Sequence, residues 1–426
     1  MINMEVSVMD ILAARDARAA TQKRLLERFG KPLICFTMNI AGPVKHTDAI
    51  EKGYALGKRL LRSRITPIHF EETISHTGCE GFFVVDEDPK ELKAICVAIE
   101  DSQPVCRLFD MDVLDKHGNK LSREELGLPS RTCLLCGKPA HACSSTRAHT
   151  VAQLQEETAR LLETANNATY IASLAYQALV QEVRTTPKPG LVDMANTGSH
   201  KDMDLPLFLK SANALRSYFY TAAQCTDFDT LRQAGIQAEK AMLEATAGVN
   251  THKGAIFTMG LLCAGAKQKK AADILSECAA MTKGIVEKDL GGITAENAAT
   301  VGARLYAQHG ITGIRGQAEQ GFPAVENVGL PILRQGLSQG LSLNDAGCAA
   351  LLHILCAVED TNLIARSDLS TAKAVTQQIA HLLEATPFPA RETLETLDRQ
   401  FIEKNLSIGG SADLLAATYF LHFIET

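Results

Sequence analysis

The sequence predicts two domains of different class, an α+β domain followed by a larger all-α domain. Three observations carry that expectation. A chain of 426 residues is long for a single hydrophobic core. Strand-like and helix-like runs alternate as far as Leu114. Beyond His149 strand signals nearly vanish, and Ala/Leu-rich segments of helical spacing take over. The boundary is expected near Asn166, which gives domains of residues 1–165 and 166–426.

In the first domain, residues 9–29 read as an amphipathic helix and 31–40 as a β-run ended by Ala41-Gly42-Pro43. Residues 47–61 are helical, and 65–74 and 81–85 are strand-like. A helix over 89–100 is announced by Asp88 as N-cap and Pro89 in the first helical position. Residues 105–114 read as a further strand. The order β-α-β-β-α-β is that of a ferredoxin-like sandwich. Helix is then expected over 151–164, a break at Asn166-Asn167, and helices over 170–183, 207–222, 230–245, 271–285, 344–364 and 371–383.

Composition narrows the function. Apolar residues make up 46% and charged residues 22%, a globular balance. No apolar run approaches the roughly 20 residues that span a bilayer, and residues 1–15 lack a secretory pattern. A net charge of −6 argues against a general nucleic-acid binder, which carries a basic excess. Most of the 12 cysteines stand singly in apolar stretches, as Cys263, Cys278, Cys348 and Cys356 do. That is the usage of reduced core thiols in a cytoplasmic protein.

Chemistry-bearing residues cluster in the first domain. Asp110 and Asp112 are two apart on an expected strand and so share a face. Such a pair can hold Mg²⁺ against phosphates, or can be two exposed acids at a strand end. Arg15, Arg18 and Gln22 share a helix face, either as phosphate ligands or as a solvated stripe. Asn39 to Lys45 joins a strand end, a Gly-Pro turn and a lysine. Cys133-x₂-Cys136-x₆-Cys143-x₅-His149 offers four tetrahedral zinc ligands in a non-standard spacing. The alternative is reduced thiols packed under a loop.

These four stretches resemble the citrate lyase holo-acyl-carrier-protein synthase family. The resemblance implies transfer of phosphoribosyl-dephospho-coenzyme A from its triphosphate precursor to a serine of the acyl carrier protein, with loss of pyrophosphate. Asp110 and Asp112 then become metal-ligand candidates, and Arg15, Arg18 and Lys45 triphosphate contacts. One departure is Ser145, where the family carries an arginine; Arg147 lies nearby.

Five polar motifs interrupt the second domain. They are Glu182 to Asp193 with Lys188, continuing to His200; Gly248 to Gly254 with His252 and Lys253; Gly313 to Pro323 with Arg315 and Glu319; Glu359 to Asn362 with Asp360, on a helix; and Gly409-Gly410-Ser411-Ala412-Asp413. Backbone N–H groups at helix starts beside lysines suit anions. No P-loop is present. Together the five suggest a polyanion and Mg²⁺ held inside an apolar helical domain.

In order, the five motifs resemble the triphosphoribosyl-dephospho-coenzyme A synthase family, which reacts ATP with dephospho-coenzyme A and releases adenine. Ile408 stands where that family has a proline. The resemblance implies catalytic roles for Asp193, Glu319 and Asp360, with His200 or His252 as proton carriers. Lys188, Lys253, Arg315, Gly409, Gly410 and Asp413 would contact the nucleotide, and Asp193 and Asp360 would meet Mg²⁺. Alternatives are the same chemistry serving malonate decarboxylase, a nucleotide-binding adaptor without catalysis, and a hydrolase that uses water.

Overall fold

A computed structural model describes residues 4–62, 64–266 and 271–426. The chain divides into two compact units, Met1–Asn167 and Ala168–Thr426. The first is built on a five-stranded antiparallel sheet and the second is helical.

The first unit opens with α1 (Val8–Phe29), whose start is a capping box between Ser7 and Asp10. There follow β1 (Leu33–Met38), α2 (Asp48–Arg62), β2 (His69–Ser75), β3 (Gly78–Val84), α3 (Pro89–Glu100), β4 (Phe109–Leu114) and β5 (Lys120–Leu121). The sheet order is β2-β3-β1-β4-β5. Alternation gives each strand two faces. Leu33, Cys35, Phe82, Val84 and Leu114 pack with Leu25 beneath α1. On the opposite face Phe36 stacks on Tyr54 of α2 and meets Phe109 edge-on. Gly57 is needed there, because a Cβ would lie 2.3 Å from the Phe36 ring.

Two strand expectations need correction. Residues 105–108 are not strand: Pro104–Leu108 forms a turn of 3₁₀ helix, with Pro104 in its first position. The second strand begins at His69 rather than Ile65, since Pro67 has no N–H to give a ladder.

Helix α4 (Ala140–Thr146) leads to α5 (Val151–Arg184), which is continuous. The expected break at Asn166-Asn167 does not occur. Asparagine costs a helix interior only about 0.7 kcal/mol, and the Asn166 amide is used sideways, donating to the Ala49 carbonyl at 3.2 Å.

In the second unit, helices Lys253–Gly265, Leu343–Ala357 and Gly409–Glu425 are apolar nearly all round and form the buried centre. The helix expected over 344–364 is two helices, Leu343–Ala357 and Thr361–Arg366. Asp360 is therefore an N-cap at the break and not a mid-helix residue. Among the described residues, no helix is long and apolar enough to cross a membrane.

The Asp88 carboxylate accepts from the Lys90 and Glu91 amides and starts α3. Asp88→Ala is expected to destabilise that helix by about 1 kcal/mol. Amide hydrogen exchange would read this as faster exchange over 89–100 with 205–222 unchanged.

Candidate functional site

In the first unit, a cavity of about 210 Å³ opens on the α1 side of the sheet. Arg15, Arg18, Asn39, Lys45, Glu80 and Asp110 line it, so three separated sequence motifs meet at one place. Strand register explains the meeting: Thr37 of β1 lies opposite Asp110 of β4, and Glu80 comes from β3 on β1's other side. Arg18 donates to Glu80 at 2.6 and 2.9 Å. The Lys45 ammonium donates to the Ile40 carbonyl at 2.5 Å, and burial lowers its pKa. Asp110 is pushed up by burial and by the like charge of Asp112, against the pull of Arg131. Asp112 shares the face, yet Lys120 holds it at 2.7 Å and it is not part of the cavity wall.

Cys133, Cys136, Cys143 and His149 come together, with one ligand atom of each within 4.8 Å of all the others. Cys136 Sγ is 3.4 Å from Cys143 Sγ and 3.3 Å from His149 Nε2. Among the described residues this is the one group of three or more His, Cys, Asp or Glu so arranged. Burial works against ionisation of Cys133, but the backbone N–H groups of Cys136 and Leu135 outweigh it and bring the thiol to about 7.

The second unit holds a cleft of about 1090 Å³, at the upper end of small-molecule sites. Lys188, His200, His252, Lys253, Arg315, Asp360, Gly409, Gly410 and Asp413 all line it, as the sequence predicts. The N-termini of Lys253–Gly265 and Gly409–Glu425 open onto it. Backbone approach is close: a Cβ on Gly254 would lie 1.9 Å from an Asp413 carboxylate oxygen.

Within the cleft wall, the Lys188 ammonium is 1% exposed and donates to Glu182. Burial raises Glu182, and Lys188 opposes the shift. Asp413 is pushed well above the usual carboxylate range by burial and then by the charges of Glu182 and Asp360. Asp360 accepts from the Asn362 and Leu363 amides and from the amide and hydroxyl of Ser411. Lys253 reaches Glu239 at 2.5 Å, and Arg315 donates to Asp289 at 2.9 Å.

Both histidines expected as proton carriers, His200 and His252, have their pKa lowered. Burial and Arg366 lower His200, whose ring nitrogens are taken by Arg366 and Ser407 at 3.0 and 3.1 Å. Burial drops His252 to about 3. The Thr251 hydroxyl donates to Ser211, which lies 2.7 Å from His252 Nδ1. His252 Nε2 is buried without a hydrogen-bond partner, and the residue lines the cleft.

Two expected site residues lie outside the cleft wall. Asp193 is buried and accepts from Thr186 Oγ1 and the amides of Lys188, Ala195 and Asn196, so its oxygens are spent on closing the loop. Glu319 accepts from the Gly284 and Val286 amides at the start of Ile285–Leu290. Glu182 and Ser211 have no predicted role. Glu182 leaves a sequence signal, a carboxylate in an otherwise apolar helical run, whereas Ser211 leaves none.

Comparison with known proteins gives each unit a family. Residues 168–426 match the CitG family, ATP:dephospho-CoA triphosphoribosyl transferase. Residues 6–165 match the CitX family, apo-citrate lyase phosphoribosyl-dephospho-CoA transferase. Protein CitXG of Haemophilus influenzae is 34% identical over 98% of this chain and 97% of its own length. Protein CitXG of Leuconostoc mesenteroides subsp. cremoris is likewise 34% identical over 98% and 97%. The 2-(5''-triphosphoribosyl)-3'-dephosphocoenzyme-A synthase of Escherichia fergusonii is 40% identical over 59% of this chain and 90% of its own. These matches define an enzyme with two transferase activities. The chain belongs to the CitXG family, in which a CitX and a CitG transferase are fused.

His252 makes stability depend on pH. Its folded pKa, about 3, lies below the ordinary 6.5, so its contribution is complete above pH 6.5 and is lost as pH falls toward 3. Over that window the unfolded chain alone takes up the proton, worth at most about tenfold in the folding equilibrium per pH unit. Urea midpoints should fall between pH 7 and pH 5, and fall less in His252→Gln.

Proposed function

We propose that the chain makes and then attaches the prosthetic group of citrate lyase, one reaction in each unit. In residues 166–426 a ribose 2′-hydroxyl of dephospho-coenzyme A attacks C1 of the ATP ribose. The C1–N bond breaks, adenine leaves with the hydroxyl's proton, and the triphosphate is retained. In residues 1–165 the phosphoribosyl-dephospho-coenzyme A passes to a serine hydroxyl of the apo citrate lyase acyl carrier protein, and pyrophosphate leaves. The observation that carries this reading is the pair of separate, cation-lined cavities, one per unit.

Breaking a glycosidic bond builds positive charge on the sugar and negative charge on the leaving group. Asp413, held well above the usual range, is the general acid for the purine. The neutral His252 Nε2–H is a donor to the same leaving group. Glu182 and Asp360 face the developing cation. Lys253, Arg315 and the helix start at Gly409 and Gly410 hold the triphosphate. In the first unit Arg15, Arg18 and Lys45 take the phosphates, and Asp110 receives the serine proton.

Mg²⁺ fits this arrangement as an ion that arrives with the triphosphate, where it neutralises phosphate charge. Asp110 and Asp360, which line the two cavities, would face it, while Asp193, which lies outside the cleft wall, would not. A zinc ion suits the Cys133, Cys136, Cys143 and His149 donor set. The strand order β2-β3-β1-β4, with β5 added at the edge, supports a ferredoxin-like reading of the first unit. Use of ATP and dephospho-coenzyme A supports a cytoplasmic location.

Asp110→Ala is expected to slow carrier-protein modification about 100-fold or more while adenine release continues. Lys253→Ala should reduce adenine release but leave modification intact when the triphosphate precursor is supplied. Purine chromatography and the mass of the carrier protein read the two separately, and equal damage by both variants would sink the assignment.

A further inference from the structure

The Cys/His cluster lies outside both cavities, and neither transfer reaction uses it directly. Its construction is nonetheless specific. Cys133 and Cys136 stand on a tight turn, in which the Gly137 amide donates to the Cys133 carbonyl at 3.3 Å and Gly137 takes φ +70°. A backbone bridge between Thr132 and Pro139 closes the turn. Cys143 comes from α4, and His149 from the residues between α4 and α5. Four ligands therefore come from three local structures.

The distances fit one shared ion. Zn–S bonds of about 2.3 Å and Zn–N bonds of about 2.0 Å at tetrahedral angles put ligand atoms about 3.5–3.8 Å apart. The two contacts at 3.4 and 3.3 Å are close to that spacing. A disulfide would need about 2.05 Å.

The cluster is also tied to the transfer site. Arg107, just before β4, donates to the Thr132 carbonyl at 2.9 Å, the Thr132 hydroxyl at 3.0 Å and the Cys133 carbonyl at 2.8 Å. Arg131, two residues before Cys133, donates to the Phe109 carbonyl. The same guanidinium lies 3.5 Å from Asp110 and 3.4 Å from Glu100. Asp110 is the carboxylate in the first cavity. Two arginines thus join the cysteine turn to the strand that carries this carboxylate.

We propose that Cys133, Cys136, Cys143 and His149 form a closed structural zinc site whose task is to position Arg131 against Asp110 for the phosphoribosyl transfer. The site takes no substrate: four protein ligands leave no open coordination position. Zinc fixes residues 131–149, and Arg131 carries that order to β4. This rests on the first unit being the transferase, and metal content tests the site independently of any activity.

The test uses the full-length chain. Elemental analysis should give one zinc per chain, lost in Cys136→Ser and retained in His149→Cys. Cobalt substituted for zinc should show the thiolate charge-transfer and d–d bands of a tetrahedral centre, a readout that survives should Cys136→Ser fail to fold. Arg131→Ala should keep its zinc and its adenine release, yet lose at least tenfold in kcat for modification of the carrier protein. A wild-type chain purified without zinc that gives an octahedral cobalt spectrum would overturn the site. Full transfer activity in the zinc-free chain or in Arg131→Ala would overturn the positioning role.

Discussion

The ion pair between Lys188 and Glu182 is sealed from water, and the second site depends on it. Removing an ammonium and a carboxylate from water costs several kcal/mol per ion, and attraction offsets this only when both groups are held in place. Glu182 is held by the last turns of α5, a rigid support. Lys188 is on a loop, which must be fixed by other means. Asp193 accepts the Lys188 amide, and Asp398 accepts the Gly190 amide at 2.9 Å and the Asn196 side chain at 2.8 Å. Gly190 is forced by the same closeness: at φ +70°, a Cβ would lie 2.2 Å from the Leu406 carbonyl. Removing either partner of the pair would leave a buried charge unmatched, at about 3–5 kcal/mol. Burial raises Asp413 and the charge of Glu182 adds to it, so the carboxylate that pairs with Lys188 also acts within the cleft.

Features written within a few residues were legible in the sequence. The Asp88-Pro89 start of α3 falls where the cap rule puts it, because capping is a local hydrogen-bond question. The grouping of Cys133, Cys136, Cys143 and His149 was legible for a related reason, since the four span a short segment. The charged motifs of the second unit also met as expected, because glycines and lysines at helix starts form anion sites wherever helices converge.

What failed to show was whether a side chain would stand in the cleft wall. Asp193 and Asp360 look alike in sequence, as acids in polar interruptions of helix. Each receives four hydrogen bonds, yet Asp193 lies away from the cleft wall and Asp360 within it. That difference is tertiary. The same holds for His252, whose partner Ser211 is 41 positions away. Its neutral state comes from complete enclosure, which periodicity in an apolar helical domain cannot assign to one residue. At Asn166 a weak local preference gave way to a long-range contact with Ala49.

The two cavities differ in size as their acceptors do. A protein serine must reach the first, and a cavity of about 210 Å³ on the α1 side of the sheet admits a side chain and a phosphate group. The second must hold two nucleotides, and about 1090 Å³ gives them room. The choice between a synthase and a hydrolase lies in that room. Adenine leaves by the same bond cleavage whether water or a ribose hydroxyl attacks C1, so the roles proposed for Asp413 and His252 would serve either reaction equally. What separates them is the occupant beside C1. A hydroxyl held in attacking geometry acts at an effective concentration of about 10⁵ M or more, far above the concentration of water. On the proposed reaction, dephospho-coenzyme A bound in the cleft would supply the nucleophile and displace its competitor by the same act of binding.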